Sequence, residues 1–78
     1  MKKDYSLDEK NVLKNFGSNL KRLRKDAGLS QEKIALKCCL DRTYIGSVER
    51  GERNISLINI KKLAVSLGVN LEELLNKI

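Results

Sequence analysis

The stretch Gln31-Glu32-Lys33-Ile34-Ala35-Leu36-Lys37-Cys38-Cys39-Leu40-Asp41-Arg42-Thr43-Tyr44-Ile45-Gly46-Ser47-Val48-Glu49-Arg50 decides the fold. Ser30, just ahead of it, is a good N-cap, and Ile34, Ala35 and Cys38 share one face of a helix about two turns long. Cys39-Leu40 then makes a tight connection. Asp41 caps the next helix, its carboxylate favoured by the free N–H groups and the positive dipole end, and Ile45 and Val48 give that helix an apolar stripe. Its first turn is Arg42-Thr43-Tyr44, so a guanidinium, a hydroxyl and a phenol stand together at a helix start.

Working outward, Leu13, Phe16, Leu20 and Leu23 recur at spacings of three and four and mark the apolar face of an earlier helix that Gly28 ends. Beyond the central stretch, Gly51 closes one helix and Ser56 caps another, in which Leu57, Ile60, Leu63, Ala64 and Leu67 hold helical spacing up to Gly68. Asn70 and Glu73 form a capping box for a last helix carrying Leu71, Leu74, Leu75 and Ile78. The expectation is an all-α domain of five helices over residues 9–78, preceded by a polar tail over residues 1–8. There is no proline, no internal repeat and no strand signal.

A chain of 78 residues is one domain, and a domain so short buries only about 60% of its unfolded surface, so a dimer interface would help it. Sixteen Lys and Arg against ten Asp and Glu give a net charge of +6, which favours a polyanionic partner. No apolar run is long enough to span a bilayer, and Met1-Lys2-Lys3 leads into Asp4-Tyr5-Ser6 rather than an apolar signal segment, so a cytoplasmic location is expected. The sequence offers no histidine, no Gly-rich phosphate loop and no metal-spaced cluster, which argues against an enzyme and implies no metal, no cofactor and no small-molecule substrate. The adjacent Cys38 and Cys39 are poorly placed for a disulfide and read as two small buried thiols. Only three aromatic residues, two Tyr and one Phe, offer little anchoring for a membrane-surface role.

Two short helices around a tight turn make a helix-turn-helix layout, in which the second helix enters the major groove with its N-terminal side chains toward base edges. Arg can contact guanine through two hydrogen bonds, Thr can bond a base or touch a thymine methyl, and Tyr can bond phosphate. Arg42 and Thr43 therefore read as base-contacting residues, with solvated first-turn residues as the alternative. Lys21, Arg22 and Lys25 are either a solvated face or a phosphate-binding strip, and Arg50 and Arg53 sit where cations serve the helix dipole or a phosphate.

The segments Gly28-Leu29-Ser30-Gln31-Glu32, Ile34-Ala35, Asp41-Arg42-Thr43-Tyr44-Ile45, Val48-Glu49-Arg50-Gly51 and Arg53-Asn54 resemble the lambda-repressor-like (Cro-type) helix-turn-helix family. Within it the chain looks most similar to the controller proteins of restriction-modification systems. The resemblance implies that Arg42, Thr43 and Ser47 face the bases, and that Gln31, Tyr44, Arg53 and Asn54 contact the DNA backbone. It implies an ion pair between Arg24 and Glu49 that braces the motif. Ile58, Val65 and Leu71 are either core residues or the apolar side through which family members dimerise. Cys39 stands where the family's turn usually has a glycine, so either strain is expected there or the turn opens differently. Lys33 replaces an acidic residue, which denies Ser30 a capping box, and Gly46-Ser47 reverses the order frequent in controller proteins.

The expected function is thus a sequence-specific transcriptional regulator, the controller of a restriction-modification system, acting as a homodimer on a pseudo-palindromic stretch of double-stranded DNA. RNA polymerase is a further candidate partner; membranes are not. A prophage repressor or antitoxin of the same fold is the alternative, as is a protein–protein adaptor that has lost DNA binding.

Overall fold

The computed structural model describes residues 4–78, so the first three residues of the expected tail lie outside the described residues. Five helices follow one another: α1 (Leu7–Asp26), α2 (Gln31–Cys38), α3 (Arg42–Glu49), α4 (Leu57–Leu67) and α5 (Leu71–Leu74), with no strand among the described residues. Local chemistry sets most boundaries. Ser30, Asp41 and Ser56 each accept a backbone N–H of the first turn of their helix, from Lys33, Thr43 and Asn59 respectively. Gly28, Gly51 and Gly68 take positive φ just beyond helix ends, and Ser30 makes no box with Lys33.

Two ends differ from the expectation. α1 starts at Leu7, taking Leu7 and Asp8 out of the tail, because Ser6 Oγ accepts from Glu9 N–H (3.1 Å) while the Glu9 carboxylate accepts from Ser6 N–H (2.9 Å). This reciprocal pair satisfies two donors that a helix start otherwise leaves open. At the other end α5 is a single turn, and Leu75 and Ile78 do not continue its buried stripe. The Asn19 amide of α1 donates to the carbonyls of Leu74 and Asn76 (2.9 and 2.8 Å), and Lys77 adopts φ 55°, so the backbone leaves the helix there. Glu73 still reaches back to the Asn70 N–H (3.1 Å) at the start of α5.

Each helix sends at least one side chain to the solvent-free centre: Leu20, Ile34, Ile45 with Val48, Leu63 and Leu74. α1 packs on α3 and α5, α2 packs on α3 and α4, and α4 packs on α5. The α1–α3 approach is close at Gly17, where a Cβ would lie 2.5 Å from the carbonyl oxygens of Val48 and Glu49. Eight residues are too few for α3 to be stable alone, so this packing is what keeps it helical.

The turn between α2 and α3 is made by Cys39 in the left-handed region, φ 57° and ψ 39°. The tight turn needs that conformation whatever residue stands there, and an L side chain in it costs about 1–2 kcal/mol. The cysteines are both free but differ: Cys38 is buried, with its thiol against Ser66 Oγ (3.2 Å), whereas Cys39 is exposed, which corrects the reading of two buried thiols. Cys39→Gly is expected to stabilise the fold by about 0.5–1 kcal/mol, the strain relieved minus the extra freedom glycine brings to the unfolded chain. Urea denaturation of the two proteins measures the difference.

Candidate nucleic-acid interface

The helix-turn-helix is held from behind by one carboxylate. Glu49, in the last turn of α3, accepts from Arg24 Nε (2.6 Å) and Nη2 (3.0 Å) of α1 and from Gln31 Nε2 (3.0 Å) of α2. The third guanidinium nitrogen of Arg24 donates to the Leu29 carbonyl (2.9 Å) in the loop before α2. The side chains of Arg24 and Glu49 are only 9% and 3% exposed. The hydrogen bond to Glu49 raises the Arg24 pKa, burial opposes it, and the charge of Glu49 adds to the rise. Because the folded-state value lies above the unfolded one, the guanidinium's contribution to stability is fully present below its unfolded value and is lost as pH rises through the folded one.

In the first turn of α3, before the buried Ile45 and Val48, two side chains face solvent. Arg42 and Thr43 are both exposed, and none of the salt bridges among the described residues involves Arg42. The Asp41 carboxylate fixes the start of this turn by accepting from Thr43 N–H at 3.0 Å. A long guanidinium and a short hydroxyl therefore project from a helix N-terminus whose backbone position is fixed on the far side.

Ser47 does not join them. It is 5% exposed, its hydroxyl donates to the Tyr44 carbonyl (2.8 Å) and it accepts from Arg53 Nε (3.2 Å), so both hydrogen-bonding roles are used within the chain. This corrects the expectation that Ser47 faces a base: the i to i−3 bond turns the hydroxyl along the helix rather than away from it. Gln31, half-buried at the start of α2, spends one amide N–H on Glu49 and keeps the second for an outside acceptor.

Tyr44 is half-buried against the core. Its hydroxyl accepts from Asn59 Nδ2 of α4 (3.3 Å), and the guanidinium of Arg53 lies over its ring, 5.6 Å from the centroid. Tyr44 and Arg53 thus form one unit, while Asn54 is exposed in the following loop, lining a cleft with Tyr5, Glu9 and Val12 near the start of α1. Arg50 is an exposed partner of Glu52, with bonds of 2.9 and 3.2 Å, and the hydrogen bond from Arg50 holds the Glu52 carboxyl below its ordinary range. Such a solvated pair opens at little cost.

The residues weighed as a dimer face separate. Ile58 and Val65 are 70% and 68% exposed, lie seven positions apart on α4, and flank a groove of about 390 Å³ that Cys39, Lys61 and Lys62 also line. Leu71 is half-buried and packs on the core, the first of the two readings, because it opens the single turn of α5 that covers α1 and α4. Asn59 was missed in the sequence, where a polar residue in the first turn of a helix carries no signal of what it touches. Among the described residues no group of acidic, Cys or His side chains is arranged to hold a metal.

The family described as "Helix-turn-helix" matches residues 20–74. Control protein C.MunI of a Mycoplasma species is 50% identical over 64 residues, which cover 81% of this chain and 86% of that protein. Control protein C.BamHI of Bacillus amyloliquefaciens is 47% identical over 62 residues, 78% of this chain and 76% of that protein. The crystal structure of the restriction-modification controller protein C.AhdI from Aeromonas hydrophila superposes with a TM-score of 0.78 at 53% identity, covering 80% of this chain and 94% of that one.

Arg24→Ala is expected to lower folding stability by about 3–5 kcal/mol, since it strands the Glu49 charge away from water. Thermal or urea unfolding measures it, and the loss is expected with or without DNA present.

Proposed function

This chain belongs to the helix-turn-helix family, and we propose that it is a sequence-specific transcriptional regulator, the controller of a restriction-modification system. The single observation that carries this reading is the solvent-facing first turn of α3, where Arg42 and Thr43 project beyond a buried brace. In the major groove, the Arg42 guanidinium would pair with the two acceptors of a guanine, and Thr43 would bond or pack on a neighbouring base. The second Gln31 N–H, Tyr44, Arg53 and Asn54 would meet phosphates and set the register. The names of the similar control proteins point the same way.

One chain presents one reading helix, and a single helix reads only a few base pairs. The protein therefore acts as a homodimer, with Ile58 and Val65 as the apolar contact and the two copies of α3 about 34 Å apart in successive major grooves. With a net charge of +6, the dimer is drawn to the phosphates. It works in the cytoplasm, and among the described residues no helix is long and apolar enough to cross a membrane. Its role is recognition rather than catalysis. Bound beside a promoter, it would act on transcription by contact with RNA polymerase or by blocking it.

The test is selection of bound duplexes from a random pool, followed by titrations of the selected and a scrambled duplex over a range of salt. Both affinities are expected to fall with salt, by about 0.9 in log–log slope per phosphate neutralised, while preference for the selected duplex persists. Arg42→Ala is expected to reduce that preference about 10- to 100-fold with little change in folding stability. Equal affinity of the unaltered protein for both duplexes at every salt overturns the reading and favours an adaptor role.

A further inference from the structure

The Tyr44 hydroxyl does not hang free at the edge of the interface. Asn59, three residues into α4 from its cap at Ser56, directs an amide N–H to the phenol oxygen at 3.3 Å. Asn59 is half-buried, and its own backbone N–H is tied to Ser56 Oγ at 3.2 Å, so the amide is presented from a fixed helix start. The ring is restrained on two further sides. Arg53 covers one face, and Ser47 joins the unit from beneath by accepting from Arg53 and donating to the Tyr44 carbonyl.

A phenol has one proton to give and lone pairs to receive with. When an amide N–H occupies a lone pair, the proton is left for an outside acceptor, and the in-plane swing of the O–H is narrowed. Among the atoms of a duplex, the phosphate oxygens are acceptors only and lie outermost, beside the groove that α3 would enter. The guanidinium stacked on the same ring has its Nε held by Ser47 and carries the positive charge that such an oxygen requires.

From this arrangement we infer that Asn59 is a positioning residue for DNA-backbone binding: it orients the Tyr44 hydroxyl so that, together with Arg53, it grips a single phosphate. Asn59 does not touch the DNA. It acts from α4, the helix behind the motif, and so links the phosphate grip to the helix proposed to carry the dimer contact. The inference rests on the DNA-binding reading above and adds to it a residue outside the helix-turn-helix.

A double-mutant cycle tests it with Asn59→Leu, Tyr44→Phe and the combined variant, each titrated by fluorescence anisotropy on the selected and the scrambled duplex, with thermal melting alongside. Asn59→Leu is expected to weaken binding to both duplexes about fivefold, as misorienting the hydroxyl without removing its bond to phosphate would, leaving the ratio between them unchanged. In the Tyr44→Phe background the same substitution is expected to cost nothing further in binding, whatever it does to the melting temperature. Four results overturn the inference: an equal loss in both backgrounds, no loss in either, tighter binding on Asn59→Leu, or no effect of Tyr44→Phe itself. Tighter binding would mean that Tyr44 spends its proton on the Asn59 carbonyl. If the unaltered protein fails to prefer the selected duplex, the underlying reading falls instead, and the two failures are distinct.

Discussion

The constraint on which the rest of this structure depends is the buried charge of Glu49. A carboxylate removed from water is tolerated only when its oxygens are bonded and its charge is met. Here the three donors that meet it come from two other helices, Arg24 of α1 and Gln31 of α2. The chain cannot satisfy Glu49 without bringing α1, α2 and α3 into one mutual arrangement. Apolar packing of Leu20, Ile34 and Ile45 supplies the driving force, but apolar contacts tolerate sliding. The bidentate guanidinium does not, because both nitrogen–oxygen bonds require one orientation.

That arrangement decides what is left outside. With Glu49 anchored in the last turn of α3 and Ile45 and Val48 turned inward, the first turn is the part of the helix that reaches solvent, and Arg42 and Thr43 stand on it. Gln31, half-buried, spends one amide N–H on bracing Glu49 and has a second one left to give. Tyr44 and Arg53 form a second, flatter surface next to the first, backed by Ser47 and Asn59. The two surfaces suit different tasks: projecting side chains for base edges, and a restrained hydroxyl beside a guanidinium for phosphate. The strained left-handed Cys39 is the cost of bringing α2 and α3 close enough for this division.

Much of this was legible in the sequence because it is written in local rules. Ser30, Asp41 and Ser56 open α2, α3 and α4 by accepting nearby N–H groups, and Gly28, Gly51 and Gly68 end α1, α3 and α4 by adopting positive φ, so spacing places most of these boundaries. The start of α1 is also written locally, in Ser6 and Glu9, but in a polar stretch where no apolar periodicity marks it. What lay beyond reach depends on distant partners. The last helix stops where Asn19, more than fifty positions away in the chain, captures two carbonyls. The inward turn of Ser47 depends on Arg53, and the part played by Asn59 depends on where Tyr44 comes to rest. Helical periodicity identifies an apolar face, but it does not say which polar side chain is satisfied within the chain and therefore withdrawn from the surface.

The central claim is that α3 is held with its first turn outward so that this turn meets DNA. Backbone amide chemical shifts of labelled protein, followed by NMR as a short duplex is added, test it most directly. The account predicts that the largest changes fall on Arg42, Thr43 and Tyr44, with a second set at Gln31 and Arg53. Changes centred instead on Ile58 to Val65 of α4, with the first turn of α3 undisturbed, would contradict it.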